Sequence, residues 1–254
     1  MTLASDGRSG DVRGTLGTVR NAVRLLDLLS EGPAFRQLSD IADSADLSVP
    51  TVHRLLRSLV LADLVEQDPL TSRYGLGPEL TRLSQRYLAR LPILGALSPY
   101  LLPLRRSLGA SIHVAILVRG SVVYVDRVED AESLHDLYRE NVRDSPALST
   151  ASGRVLSARS DDEHWTRSLD LVDETMRAEA LEARSGWASS THLVSTDGDG
   201  LLDEIAVPVL DAYGKPAAAL AARTAHPAGA DQVPAMVNQL IRAASAAARS
   251  LGHG

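Results

Sequence analysis

The sequence predicts an α+β chain made of two parts. Three short amphipathic patterns followed by two strand-like pieces fill residues 15–77, and apolar hairpins alternating with helical patterns fill residues 93–254. The composition is that of a folded chain, because 44% of the 254 residues are hydrophobic and 23% are charged. Only 4% are aromatic, so aliphatic side chains must build the cores.

The first part begins with a helical pattern that follows a polar, Gly- and Ser-rich lead-in at residues 1–14. We expect the lead-in to be disordered. The helical pattern starts near Thr18 and stops at Gly32-Pro33, since this dipeptide breaks helices. Its apolar residues recur at spacings of three and four: Val19, Ala22, Val23, Leu25, Leu26 and Leu29.

Two further helices and a hairpin complete this part. Ser39 is expected to be the N-cap of a short helix ending at Ala45, and Ser48 the N-cap of a third helix ending near Ala62. A tight turn at Asp46-Leu47 joins them. Residues 64–67 and 73–76 are predicted strands around a polar tip, which gives the order of elements of a winged helix-turn-helix.

The third helix carries the pattern that favours DNA binding. Its apolar side chains share one face, Arg54 and Arg57 lie opposite, and no acidic residue occurs between Ser48 and Ala62. A helix in the major groove needs donors and small side chains on its outer face, and helix N-termini bind phosphate oxygens. The candidate DNA contacts are Ser39, Ser48, Pro50, Thr51, His53, Arg54, Arg57 and, beside the wing tip, Arg73.

The overall charge gives no support for a nucleic-acid partner, so the contact must come from this local patch. Residues 1–90 hold 11 Arg and 11 acidic residues, and the rest of the chain carries the net charge of −6. An ordinary amphipathic helix shows the same pattern when taken alone. A module that contacts a protein partner instead of DNA is therefore the alternative.

A linker helix is predicted over residues 78–92, ahead of the second part. Its one apolar stripe fits either a dimer contact or packing on its own chain. The second part shows hairpins at residues 112–128 and 204–224, and a further strand at residues 134–138. Helices are expected at residues 97–108, 150–159, 173–184 and 231–251. This order predicts an antiparallel sheet with one face covered.

Several enzyme classes are excluded or disfavoured by composition. The chain has no cysteine, which excludes a thiol nucleophile and a thiolate zinc site. The seven histidines show no metal-ligand spacing, Asp197-Gly198-Asp199-Gly200 lacks the other calcium ligands, and Ser152 has no nucleophile elbow around it. We expect no enzyme, no cofactor and no metal. With no long apolar run and no signal peptide, a cytoplasmic protein without a membrane partner is expected.

The chain resembles the IclR (isocitrate lyase regulator) family of bacterial transcription factors. The resemblance lies in Leu38–Ala45, in Ser48-x-x-Thr51-Val52-His53-Arg54-Leu55-Leu56 and in Tyr74-x-Leu76-Gly77. In the second part, residues 146–154 resemble the family's Pro-Leu-His-x-Thr-Ala-x-Gly-Lys segment, and residues 204–211 resemble its Ile-Ala-Ala-Pro-Val-x-Asp strand.

The resemblance implies a C-terminal GAF/PAS-like effector-binding domain. It also implies a homodimer, or a dimer of dimers, on palindromic double-stranded DNA, with a small-molecule effector that we expect to be an organic acid or a related metabolite. The candidate effector contacts are Ser145, Ala151, Ser152, Gly153, Glu204, Ala221 and Arg223.

Three departures from the family pattern concern this effector site. Leu148 stands where the family has His, Arg154 replaces its Lys, and Ala221 and Arg223 fall at its last Ser-x-Ser. Arg223 either binds a carboxylate effector through two hydrogen bonds or pairs across the hairpin with Asp203 or Glu204. The expected function is a DNA-binding regulator that responds to a small molecule.

Overall fold

The computed structural model describes residues 9–129, 145–196, 203–224 and 232–251. The chain divides into two compact units, residues 1–87 and residues 88–254. In the described ranges no single helix is long and apolar enough to cross a membrane; only α4 and α5, defined below, pass that test when taken together.

The first unit is a winged helix-turn-helix, as the sequence predicts. Its elements are α1 (Ser9–Ser30), α2 (Leu38–Ala45), α3 (Val49–Leu61), β1 (Val65–Gln67), β2 (Tyr74–Leu76) and α4 (Glu79–Leu88). The first three helices pack around Leu25, Ile41 and Leu56, which have no exposed surface. Strands β1 and β2 pair antiparallel, with Val65 opposite Leu76.

Two helix starts differ from the prediction. Helix α2 begins at Leu38, and its N-cap is Gln37, whose backbone is extended (φ −75°, ψ 151°). Ser39 is therefore inside the first turn and not at the cap, because the Gln37 carbonyl already accepts from the Ile41 N–H. Helix α1 begins at Ser9, before the end of the lead-in expected at residue 14, since the helical spacing of apolar residues extends back through Leu16 and Val12.

The predicted turn between α2 and α3 is confirmed. Asp46 has a left-handed backbone with φ of 50°, a conformation that Asp tolerates better than most residues. The Leu47 N–H then donates to the Ala42 carbonyl at 3.1 Å. This geometry ends α2 and leads directly into the N-terminus of α3.

The wing tip is held by one carboxylate. Asp68 accepts from the Leu70 N–H at 2.9 Å and from the Thr71 hydroxyl at 2.7 Å. The Thr71 hydrogen bond is the main reason that the pKa of Asp68 lies below its usual value. At the wing base Gly75 has no room for a side chain, since a Cβ would lie 2.6 Å from the Ala34 carbonyl oxygen.

The second unit is an antiparallel sheet with helices. Its elements are α5 (Pro92–Leu108), β3 (Ser111–Val118), β4 (Ser121–Val128), β5 (Ser145–Pro146), a 3-10 turn (Ala147–Ser149), α6 (Ala151–Ala158), α7 (Asp162–Leu169), α8 (Glu174–Ser189), β6 (Leu193–Thr196), β7 (Asp203–Leu210), β8 (Pro216–Thr224) and α9 (Val233–Leu251). The strand order is β5-β4-β3-β8-β7-β6.

Helices cover both faces of this sheet, whereas the sequence predicts one covered face. Large aliphatic residues such as Ile112, Val114 and Leu220 pack with α5 and α9 on one side. Small residues such as Ala219 and Ala221 pack with α6 on the other side. The second covered face escapes prediction because its strand residues are mostly alanine, which gives little amphipathic contrast.

Two helices of the second unit also have boundaries that differ from the predicted ones. Helix α5 starts at Pro92, earlier than residue 97, because a proline is tolerated in the first turn of a helix. Helix α8 runs on to Ser189, beyond residue 184. The structure adds α7 and β6, which the sequence does not predict. The expected strand at residues 134–138 and the Asp-Gly repeat at residues 197–200 lie outside the described residues.

Candidate DNA-binding and effector sites

The outward face of α3 carries the candidate DNA contacts. Val52, Leu55, Leu56 and Leu59 are buried, whereas His53, Arg54 and Arg57 are exposed. Within the described part of the chain, neither the Arg54 nor the Arg57 guanidinium has an ion pair or a hydrogen bond. Two adjacent cations on one exposed helix face are thus available to a partner outside the chain.

The N-terminus of α3 has no side-chain cap. Ser48 is its N-cap, with extended backbone (φ −65°, ψ 142°), but its side chain makes no capping hydrogen bond to a backbone N–H. The Ser48 hydroxyl instead shares a hydrogen bond of 2.8 Å with the Thr51 hydroxyl. Pro50 is also exposed in this first turn. The Thr51 and Val52 N–H groups both donate to the Ser48 carbonyl, at 2.9 and 3.0 Å, and Pro50 has no N–H, so this turn offers an external anion at most the Val49 N–H. The positive end of the helix dipole adds a weaker attraction for an anion.

The remaining candidates lie at the edges of this surface. Ser39 is exposed in the first turn of α2 and donates to the Asp40 carboxylate at 3.2 Å. That acidic neighbour makes this helix end less favourable for phosphate than the end of α3. Arg73 is exposed beside the wing tip, next to the start of β2.

In the second unit, the N-terminus of α6 lies against strand β7. The Thr150 side chain is the N-cap and accepts from the Gly153 N–H at 3.0 Å. The Ala151 N–H donates to the Glu204 carboxylate at 2.8 Å, and the Ser152 N–H donates to it at 3.3 Å. The Ser152 hydroxyl adds a third donor to Glu204 at 2.7 Å.

Glu204 is a buried carboxylate whose hydrogen bonds are satisfied by its surroundings. Its side chain is on β7 and the residue is only 5% exposed. Besides the donors from α6, the Tyr124 hydroxyl donates to it at 3.1 Å. A buried charge is tolerated when several donors surround it, and N–H groups at a helix N-terminus are among the strongest.

The predicted effector residues converge only in part. Ala151, Ser152, Gly153 and Glu204 meet at the start of α6, and Ala221 belongs to the same buried cluster as Ala151. Arg223 lies directly opposite Glu204 in the sheet register, as one of the two alternatives for it requires. Ser145 lies on the edge strand β5, paired with Val122.

Sequence reasoning did not assign His113, Tyr124 and Ser195 to this site. Tyr124 and His113 lie on neighbouring strands with their rings edge to face and 5.1 Å apart. Alternation along β3 could have placed His113 on the side of Ala115, which packs with α6. The Ser195 hydroxyl accepts from the Ala151 N–H at 3.0 Å, but it lies on β6, a strand without a sequence signal.

His113 is buried without hydrogen bonds from the described residues. It is 7% exposed, and neither ring nitrogen has a hydrogen-bond partner there. Its Nε2 lies 3.6 Å from a Glu129 carboxylate oxygen, which is beyond a good hydrogen bond. The interaction with His113 nevertheless lowers the pKa of the Glu129 carboxyl, against the effect of burial.

Two residues that depart from the family pattern have structural contacts. Leu148 is fully buried beside Trp165 and Ala180. Arg154 donates to the Leu148 carbonyl at 2.8 Å, and its guanidinium lies 5.3 Å from the centre of the Trp187 ring. Burial lowers the pKa of Arg154, with Glu179 and Glu204 opposing this effect.

Comparison with known proteins finds regulators that match both units. The chain is 34% identical to the glycerol operon regulatory protein of Streptomyces coelicolor over 166 residues, which are 65% of this chain but only 60% of that protein. It is 27% identical to the regulator XynR of Escherichia coli over 246 residues, which cover 93% of this chain and 97% of XynR. The first of these relatives is a regulatory protein of an operon, and the second is a helix-turn-helix transcriptional regulator.

Solved structures share the fold. A regulator from Silicibacter has a TM-score of 0.76 at 24% identity, covering 94% of this chain and 97% of that one. A homologue from Microbacterium hydrocarbonoxydans, complexed with 4-hydroxybenzoate, has a TM-score of 0.67 at 21% identity, with 92% and 98% covered.

Family models agree with these likenesses. The model for the IclR helix-turn-helix domain matches residues 18–69, and the model for the bacterial transcriptional regulator IclR C-terminal domain matches residues 85–249. The second match alone spans more than half of the chain. The chain therefore belongs to the IclR family of bacterial transcriptional regulators.

Proposed function

We propose that this regulator binds a palindromic operator as a dimer, with α3 in the major groove, and that a small molecule bound on the α6 side of the sheet changes its affinity for DNA. Such a protein acts where bacterial DNA is, in the cytoplasm. The single observation that carries the proposal is the exposed face of α3, where Arg54 and Arg57 have no partner among the described residues.

Each DNA contact has a physical role in this proposal. Arg54 and Arg57 are three residues apart, so both reach the same groove and bind guanine edges or phosphates. Thr51 and His53 flank them and reach base edges or phosphates. The end of α3 at Ser48 and Pro50 approaches a phosphate, as does Ser39 in a weaker contact. Arg73 contacts the neighbouring backbone or minor groove from the wing.

Exposed apolar side chains support a dimer. On α4, Leu83 is 45% exposed and Tyr87 is 54% exposed. On α1, Val19 is 60% exposed and Val23 is 40% exposed. A second copy of the chain would remove such residues from water, and a two-fold dimer reads a two-fold operator. Sedimentation of the full chain distinguishes a dimer, a dimer of dimers and a monomer, and a monomer at micromolar concentration would contradict this step.

The effector acts only if it binds one DNA-binding state better than the other. Because α4 connects the two units, we propose that ligand changes the spacing of the two DNA-reading helices or the number of subunits. Footprints of the operator with and without a bound small molecule test this step. An unchanged footprint and unchanged affinity for every molecule that binds would contradict it.

A salt titration separates DNA binding from the alternative of a protein partner. Phosphate contacts release counterions, so the logarithm of the DNA affinity should fall with the logarithm of salt by a slope of about −0.9 per contacted phosphate. We expect such a slope for promoter fragments bound by the full chain. A protein that binds no DNA fragment even at low salt would support the alternative.

A further inference from the structure

The most exposed large apolar side chain in the described part of the chain lies at the tip of the wing, between β1 and β2. This side chain is Leu70, which is 93% exposed. Its neighbours Pro69, Thr71 and Ser72 carry no charge, so the tip ends in a small uncharged surface. A single exposed leucine is common on a protein surface, so the way in which this tip is held decides whether it can bind a partner.

The backbone of the tip is fixed by hydrogen bonds on both sides of Leu70. The Asp68 carboxylate accepts from the Leu70 N–H at 2.9 Å and from the Thr71 hydroxyl at 2.7 Å. The Ser72 N–H donates to the Asp68 carbonyl at 2.8 Å, and the Gln67 side chain donates to the Ser72 carbonyl at 3.1 Å. These bonds keep Ser72 in a left-handed conformation, with φ of 57°. Leu70 contributes only its N–H to the turn, so folding does not require an apolar side chain here.

The wing is also anchored at its base. Tyr74 is buried in the core of the first unit, and its N–H and carbonyl pair with the backbone of Arg36 at 2.9 Å each. Strand β2 is therefore paired with β1 on one edge and with Arg36 on the other. Gly75 packs directly against the Ala34 carbonyl. Leu70 is thus held in solvent at a fixed place, so that little conformational entropy is lost when it binds a partner.

The tip itself, residues 69–72, has no charged side chain with which to bind a phosphate. Asp68 and Arg73 flank it with opposite charges. The hydrogen bond from the Thr71 hydroxyl is the main effect that lowers the pKa of Asp68, and the charge of Arg73 adds to it. Asp68 is therefore ionised, and its carboxylate is engaged within the turn. Apolar surface is what the tip offers to a partner.

The wing adjoins the proposed DNA-reading helix. Only residues 62–64 separate α3 from β1, and the end of β1 leads straight into the tip. With α3 in the major groove, an element beside it meets the neighbouring minor groove, which is about 6 Å wide. Leucine is among the apolar residues that proteins insert between base steps in the minor groove. DNA is therefore the partner that fits the tip.

Resting on the proposed DNA-binding function, we propose that Leu70 is an apolar wedge that enters the minor groove beside the half-site and partly unstacks one base step. Such a wedge favours steps that deform easily, which are pyrimidine–purine steps such as TA and CA. Leu70 thereby adds specificity at a position where the protein makes no hydrogen bond to a base.

Affinity and its salt dependence separate a wedge from a phosphate contact. The probe is the tightest duplex that the full wild-type chain selects from a random library. We expect Leu70→Ser to lose at least fivefold in affinity with an unchanged salt slope, because it removes no phosphate contact. Leu70→Met keeps an apolar side chain and should keep most of the affinity. Full affinity of Leu70→Ser, or a slope that changes as it does for Arg73→Ala, overturns the proposal.

Leu181→Ser is the matched control, because Leu181 is also an exposed leucine (57%) but lies on α8 in the second unit. It should bind the selected duplex like the wild type. Both serine variants should keep the wild-type melting temperature and oligomeric state. An equal loss of affinity in the two variants, or a loss in Leu70→Ser that accompanies a changed oligomeric state in sedimentation, overturns the proposal.

Unstacking is measured directly with 2-aminopurine, an adenine analogue that fluoresces more strongly when it is unstacked. The analogue replaces each adenine of the selected duplex in turn. We expect the wild-type chain to raise the fluorescence at least twofold at one step in each half-site, and Leu70→Ser to abolish this rise. A duplex that is bound without any such rise overturns the wedge and leaves the proposed function intact. A chain that selects no duplex rejects the proposed function and the wedge with it.

Discussion

Helices α3 and α6 begin with similar hydroxyl-bearing N-caps, Ser48 and Thr150, but their ends differ. The Ser48 hydroxyl bonds to Thr51 and caps no backbone amide, and no side chain from elsewhere in the described residues takes its place. Thr150 caps the Gly153 N–H, and Glu204 takes the two amides before it. The N-terminus of α3, which is proposed to meet an external phosphate, has no carboxylate beside it, whereas the N-terminus of α6 is occupied by Glu204.

The arginines of the two helices differ in the same way. Arg54 and Arg57 on α3 are exposed and have no partner in the part of the chain that the structure describes. On α6, Arg154 is half-buried, donates to the Leu148 carbonyl and stacks over Trp187. An arginine whose donors are used inside the fold stabilises it, whereas one with free donors is available for recognition.

The largest effect is expected from Gly153→Ala, which disturbs the first turn of α6, where Glu204 occupies the N-terminus. A Cβ at Gly153 would overlap the Ala147 carbonyl group, which is backbone and cannot move aside cheaply. We expect a loss of about 3 kcal/mol or more in the free energy of unfolding, measured by urea denaturation. Gly186→Ala is the matched control in α8, where a Cβ meets nothing within 4 Å, and it should stabilise the protein by about 0.5–1 kcal/mol. Equal stability of the two variants would contradict this interpretation.

Arg54→Ala and Arg57→Ala test the exposed basic face of α3. Each should weaken operator binding by about 1–3 kcal/mol if it contacts a base, and reduce the salt slope by about 1 if it contacts a phosphate. Thermal unfolding should be unchanged, because both side chains are exposed. Arg242→Ala on the exposed side of α9 is the control and should bind DNA like the wild type. A variant series with full DNA affinity would rule out α3 as the reading helix.

Ser48→Asp would make the end of α3 resemble that of α6 by adding a carboxylate. Because this charge occupies the place proposed for a DNA phosphate, affinity should fall at least tenfold, which is about 1.4 kcal/mol. The helix dipole favours the new charge, so the melting temperature should not fall. Ser48→Ala removes the hydroxyl without adding charge and should lose much less affinity. Similar losses in the two variants would argue against an anion site here.

The smallest effect is expected at the N-terminus of α8, which is capped by a side chain of its own. The Asp173 carboxylate caps α8 by accepting from the Met176 N–H at 2.9 Å. Asp173→Ala should cost about 1 kcal/mol of stability, and Asp173→Asn should recover most of it, because Asn is also a good N-cap. DNA affinity should not change in either variant. A loss of DNA affinity with unchanged stability would show that the N-terminus of α8 contributes to DNA binding, and would contradict the distinction between α3 and the helices with capped N-termini.

The local features of the first unit could be predicted because they depend on neighbours in sequence. The buried face of α3, the left-handed turn at Asp46 and the polar wing tip each follow from residues within a few positions of one another. The Ser39 cap was wrong because tertiary packing outweighed the local capping preference. Helix α2 begins after Gln37, which makes no side-chain cap, and its buried face packs on α1 and α3.

The proposed effector side could not be predicted where its contacts are long-range. Glu204 was identified as a candidate, but nothing nearby in sequence indicates that it caps α6 or that Tyr124 donates to it. His113 and Tyr124 meet only because β3 and β4 pair with a register shift after Val114. Ser195 joins the site through β6, a short edge strand that carries no pattern of its own.

By itself, the sequence determined which face of α3 is apolar and which is basic, since a period of 3.6 residues needs only the order of side chains. Only the tertiary structure decided which helix N-terminus is occupied by a carboxylate from elsewhere in the chain. Ser152 and Glu204 are 52 residues apart in the chain, and the sheet brings the carboxylate to the amides of α6. Hydrogen bonds depend on distance in space, and sequence spacing does not encode that distance across a sheet.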